Sequence, residues 1–280
     1  MSILELVREP FEFGFMTRAF LGVSLIAILS GLVGTFIMLK GLAFIGDAIA
    51  HASFGGIVLA LLLGVPLHIG AFVFGFGTAL LVNSMGRRTP LRSDTSLAIL
   101  FTGAFALGVL GLATRPTFAG DLSALLVGSV LAIRPLEMYW IIFAAIVTIV
   151  IIGFFYEQLV FVSFDPAGAE AVGFPVTLLQ TVLLALVALA VVVSLQAVGV
   201  ILVVSLLITP AATASLLTKR MKTLILLSIG LGLSATWLGL YISYYIATPP
   251  GATVVTIVTI QFVIGLLIHK MRHKTVAYYT

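Results

Sequence analysis

Of 280 residues, 61% are apolar and 9% are charged, against about 45–50% and about 25% in an ordinary soluble domain. A globule with a fully solvated surface is therefore excluded. The absence of cysteine removes disulfides, thiolate metal sites and thiol nucleophiles together. A formal net charge of +4 raises nucleic acid as a partner, but the placement of the basic residues argues against it.

At about 20 apolar residues per crossing, the chain has room for eight or nine spans. It reads as one all-α domain over 1–280, a polytopic helical membrane bundle. Glu5, Glu9 and Glu12 around Arg8 give the wrong charge for a secretory leader, so none is expected. The first span falls near 17–39. The second, near 46–64, opens on Gly46-Asp47-Ala48-Ile49-Ala50-His51-Ala52-Ser53. Asp47 and His51 are four residues apart and share one helical face. Counted from Lys40 at ~1.5 Å per residue, they lie about 10 and 16 Å along the chain into the membrane. A charge at bilayer depth costs at least ~2.5–3.5 kcal/mol, so the pair needs a reason to be there. Carboxylate with imidazole suits a first-row divalent metal, and two ligands alone would hold it only transiently. The small residues around the pair suit a cavity. The plainer alternative is an Asp–His pair that cross-links helices.

Spans three and four fall near 67–85 and 96–113, and His68 at the start of the third reads as interfacial. The apolar segment 118–133 is too short to cross and suggests a re-entrant or interfacial piece. The fifth span, near 136–156, leads to a polar connection with a distinct pattern. There Asp165 is set to cap a helix beginning at Pro166, while Gly173 and Pro175 are set to end it. A two-turn helix of this kind suits docking to another protein, though an ordinary connector would look similar.

The remaining spans fall near 176–193, 196–217, 223–246 and 252–269. Gln196 and Gly199 stand near the start of one of them. Thr209 and Pro210 lie inside it, where the proline frees a carbonyl. Gln196, Thr209 and Pro210 are therefore candidates for a pathway or gate, beside the plainer readings of helix glue and shape control. Residues 248–251 read as a tight turn, and His269 and His273 belong to a basic tail.

Strict alternation that puts 86–95 in the cytoplasm places ten of the fourteen basic residues inside: Lys40, Arg87, Arg88, Arg92, Lys219, Arg220, Lys222, Lys270, Arg272 and Lys274. Arg8, Arg18, Arg115 and Arg134 fall outside. The C-terminus is then cytoplasmic, and the net charge is a topology signal with no need for nucleic acid. One re-entrant span would reduce the total to eight and bring the N-terminus inside. No Walker motif, zinc-protease helix or nucleophile elbow occurs, so no ATP hydrolysis is expected of this chain.

The ordered fragments Phe15-Met16-Thr17-Arg18-Ala19, Gly46 to Ala52, Phe164 to Gly173, Gly199 to Val203 with Thr209 to Ala214, and Pro250-Gly251-Ala252-Thr253 carry a resemblance along nearly the whole chain. It resembles the integral-membrane permease subunits of bacterial ABC importers for zinc, manganese or iron(II), the ABC-3 family. The resemblance implies a type II importer-like permease in the cytoplasmic (inner) membrane, paired with a second copy or close paralogue. It also implies cytoplasmic ATPase subunits and an extracytoplasmic metal-binding protein. No permanently bound cofactor is implied, only a transported zinc, manganese or iron ion. Asp47 and His51 become metal-contacting positions. Phe164, Asp165, Ala167, Glu170, Ala171 and Gly173 become the helix that couples to the ATPase. One departure stands out: Ala247-Thr248-Pro249-Pro250-Gly251 lacks the acidic residue often found before this turn in the family. Competing readings are a permease for a metal chelate, which would need a wider pathway, and an ion-coupled secondary transporter, which inverted repeats would favour.

Overall fold

The computed structural model describes residues 8–88, 93–114 and 128–277. Among them lie eleven α-helices and no strand. In chain order they are α1 (Gly14–Leu39), α2 (Ile45–Leu63), α3 (Leu67–Arg88), α4 (Ser93–Ala113), α5 (Pro135–Phe154), α6 (Tyr156–Phe164), α7 (Pro166–Ala171), α8 (Val176–Val198), α9 (Val200–Leu217), α10 (Met221–Ile246) and α11 (Pro250–Ala277). All but α6 and α7 are long and apolar enough to cross a membrane, nine among the described residues. The protein is a multi-pass helical membrane protein. Within lipid, helices of this kind satisfy their backbone polar groups inside each segment.

The bundle is built around α1, which packs against α5, α8, α9 and α10. The side chains of Ile26, Leu29, Val33 and Phe36 on α1 are completely buried. On the other side, α2 is held between α3 and α4, and α8 bridges α3 to α5. Backbones approach closely where glycines face each other. A Cβ on Gly56 would overlap the Gly70 carbonyl of α3, and one on Gly55 would overlap the Ala104 carbonyl of α4. Small residues of this type drive helix association in lipid, where burying further apolar surface gains little.

Four expectations change. The fifth span stops at Phe154, and the separate helix α6 carries the chain on to Phe164. The span expected over 176–193 runs on to Val198, and its successor starts at Val200 rather than 196. Gly199 supplies the break, at φ 84°. Gln196 therefore belongs to the last turn of α8. Of the segment 118–133, residues 118–127 lie outside those described, as do Arg92 and Arg115. Its end forms a short 3-10 helix, Val130–Ala132, packed against α1, α8 and α11. Lastly, residues 40–44 reverse the chain instead of advancing along an axis. Gly41, in the left-handed region at φ 66°, donates to the Met38 carbonyl, and Leu42 donates to that of Ile37. This is a Schellman ending for α1. The count of depth from Lys40 is accordingly too large: measured along α2 from Ile45, Asp47 and His51 stand about 3 and 9 Å from the helix start.

Candidate functional site

Asp47 occupies the third position of α2, in the first turn, where the positive end of the helix dipole favours its anion. His51 stands one turn further along. Its Nδ1 is 2.9 Å from the Asp47 carbonyl oxygen and 3.3 Å from Asp47 Oδ1. Both neighbours only accept, so Nδ1 carries a proton and donates, which leaves Nε2 as the ring nitrogen not engaged by Asp47. An acceptor on Nδ1 is what orients an imidazole that binds a metal through its other nitrogen. The Asp47 and His51 side chains are 37% and 23% exposed, on a stretch of α2, residues 45–58, that is otherwise buried. They are open to a cation and yet held by the bundle.

The reason α2 presents them this way lies in its other faces. Ala48, Ala50 and Ala52 are buried, and Gly46 lies against the Leu207 side chain of α9. The remaining cover comes from α4. Phe101 and Phe105 meet the His51 ring edge-on at centroid distances of 5.0 and 5.6 Å. These two aromatics escaped the sequence reading. Their four-residue spacing on an apolar helix was the available signal, but it does not say which neighbour they face.

The other candidates divide into three places. Thr209 and Pro210 lie within a turn of Leu207, whose side chain packs over Gly46 of α2, the residue before Asp47. Here α9 runs on through Pro210 without interruption, and Thr213 Oγ1 donates to the Thr209 carbonyl at 2.7 Å. Gly34 of α1 abuts the Leu207 carbonyl so closely that no Cβ would fit. Gln196 lies elsewhere, lining a cleft with His68 and Glu137.

The third place is the short helix α7. Asp165 Oδ1 accepts from the Gly168 backbone N–H at 2.9 Å, which is the cap expected of it. A Cβ at position 168 would overlap that carboxylate. At the far end Gly173, at φ 92°, donates to Glu170, and Phe174 donates to Ala169, again a Schellman pattern. Phe164 closes the preceding helix α6 instead of opening this one. Ala169 anchors α7 by burial, while Phe164, Ala167, Glu170, Ala171 and Val172 are exposed together.

Among the described residues no group of three or more His, Asp or Glu side chains could hold a metal ion. Asp47 and His51 by themselves therefore offer two donor groups and no third from the described residues.

Comparison with known proteins bears on the chain as a whole. The manganese transport system membrane protein MntC of Listeria innocua is 39% identical over 256 residues, 91% of each chain. The manganese import system permease protein ScaB of Streptococcus gordonii is 36% identical over 266 residues, 95% of each. The structure of PsaBC from Streptococcus pneumoniae in complex with Fab superposes with a TM-score of 0.82 at 34% identity, covering 94% of this chain and 95% of that one. The model of the ABC 3 transport family matches residues 12–269. On that extent of agreement, from α1 to α11, the chain belongs to the ABC 3 transport family.

Proposed function

We propose that this chain is the membrane permease of an ATP-driven importer that carries a divalent transition metal ion, manganese foremost, into the cytoplasm. The observation that supports this reading most is the Asp47–His51 geometry. One carboxylate and one imidazole, with Nδ1 committed to Asp47, leave an oxygen and Nε2 as donor atoms where α2 is partly open. A mixed oxygen and nitrogen donor set suits manganese as well as zinc or iron(II), and the transport of manganese by MntC and ScaB tips the choice. Because the pair is too small a shell, a second copy of the chain, meeting the first across this opening, supplies the rest. The subunit itself transports and does not hydrolyse ATP; a separate ATPase docks on the exposed face of α7. A metal-binding protein delivers the ion on the opposite side. The protein lies in the bacterial cytoplasmic membrane with its C-terminus inside.

The test is metal uptake by vesicles holding the permease with its ATPase and binding protein, with manganese, zinc and iron(II) in competition. Asp47→Asn and His51→Ala should each lower manganese uptake by roughly tenfold or more, while the permease still co-purifies with its ATPase. Uptake near the wild-type rate in both variants would assign the pair to helix cross-linking instead. The lack of cysteine makes orientation directly measurable: a single cysteine placed at Lys270 should react with an impermeant thiol reagent only from the cytoplasmic side.

A further inference from the structure

A cleft of about 310 Å³ opens between α3, α5 and α8, away from the Asp47–His51 pair. Its composition changes along its length. At one end stand His68 in the first turn of α3, Glu137 in the first turn of α5 and Gln196 in the last turn of α8. Since α8 runs antiparallel to α3 and α5, these three polar side chains share one level of the bundle. Glu137, which lines the cleft, is 13% exposed and paired at 2.7 Å with Arg134, a side chain 77% exposed. Further in, the walls are Phe72, Val73, Phe143, Leu189 and Val192, with Trp140, whose indole N–H is the one polar group among them. From Gln196 to Leu189 the apolar wall extends about 10 Å along the helix axis.

Val73, Trp140 and Phe143 are 59%, 43% and 52% exposed, and all three lie in membrane-crossing helices. The side of the cleft that opens outward therefore opens onto acyl chains rather than water. A slot that is apolar within the membrane and hydrogen-bonding only at one level matches a molecule with the same gradient. We infer that this cleft is a binding site for one bilayer phospholipid, its acyl chain against Phe72, Phe143 and Leu189. Its headgroup meets His68, Gln196 and the Arg134–Glu137 pair. The ring of Trp140 lies 6.0 Å from that of His68 and walls the boundary between the two halves. An annular lipid has no such complementary mouth. The site is independent of the transport reading, because none of its residues belongs to the Asp47–His51 region or to α7.

Trp140 reports on the cleft directly. The chain has two tryptophans, so Trp237→Phe leaves Trp140 as the single fluorophore. The experiment titrates that variant, purified in detergent, with dibrominated phosphatidylethanolamine and follows quenching. Expected is quenching that saturates near one lipid per chain. Filling the slot with Val73→Phe or Val192→Phe should raise the half-saturating lipid concentration by tenfold or more. Val73 is exposed, so its replacement leaves the fold intact even if the buried Val192 does not tolerate the change. Quenching that climbs linearly with lipid and is the same in Trp237→Phe and in Trp237→Phe with Val73→Phe would overturn the site. So would absent quenching in a protein whose Trp140 is shielded by a second copy.

Discussion

Helices α2 and α4 touch each other and are both apolar, yet they are embedded very differently. Of the residues in the membrane-crossing window of α2, 72% are buried, against 17% for α4. Hydrophobicity does not separate them, because lipid is as good a solvent for leucine as the protein interior is. What separates them is size. Along α2, Gly46, Gly55 and Gly56 let α9, α4 and α3 approach its backbone, whereas α4 turns Ile99, Leu107, Val109 and Leu110 outward. The candidate ligands sit on the firmly held helix, and their aromatic cover sits on the thinly held one. Local opening free energy falls where packing is sparse. The cover over His51 is therefore easier to displace than His51 itself.

The largest effect that would test this contrast is Gly56→Leu. The side chain would have to displace the α3 backbone at Gly70, and we expect a loss of about 3 kcal/mol or more, visible as a lost thermal transition in detergent. Gly108→Leu sharpens the comparison from the other side. It meets Gly55 and the Phe54 ring, but α4 can yield, so a cost nearer to about 1–2 kcal/mol is expected in the same thermal measurement. A cost equal to that of Gly56→Leu would show α4 to be as firmly held as α2. Phe105→Ala removes one of the two rings on His51. Stability should fall by about 1 kcal/mol, because the ring is only partly buried. Manganese uptake should change by more than that thermal shift suggests. Smallest of all, Leu107→Ala, on a side chain 64% exposed, should stay within about 0.5 kcal/mol of wild type. A larger loss would mean that another chain covers α4.

Local chemistry made parts of the molecule legible. The capped helix α7 was readable because Asp165, Pro166 and Gly173 act on backbone groups within a few residues of themselves, and the structure shows both of its ends as expected. The shared face of Asp47 and His51 follows from helical spacing alone. Misreadings arose where one apolar stretch meets another. Between Leu195 and Val203 only the backbone angle of Gly199 ends one helix and starts the next, so Gln196 was assigned to the wrong span. The turn at Gly41 had the same effect on the reckoned depth of Asp47.

By itself the sequence determined that the chain crosses a membrane repeatedly, where the two ends of α7 fall, and that one carboxylate and one imidazole share a helix inside the bundle. Those properties depend on composition and on contacts between near neighbours. Only the tertiary structure decided that Phe101 and Phe105 cover His51, that Leu207 of α9 packs over Gly46 of α2, and that Gln196 joins His68 and Glu137 in a separate cleft. The reason is physical. In water a helix shows its buried face by an apolar stripe, but a helix apolar all round has no such stripe. Which face meets protein and which meets lipid is then set by the close fit of small residues across distant parts of the chain.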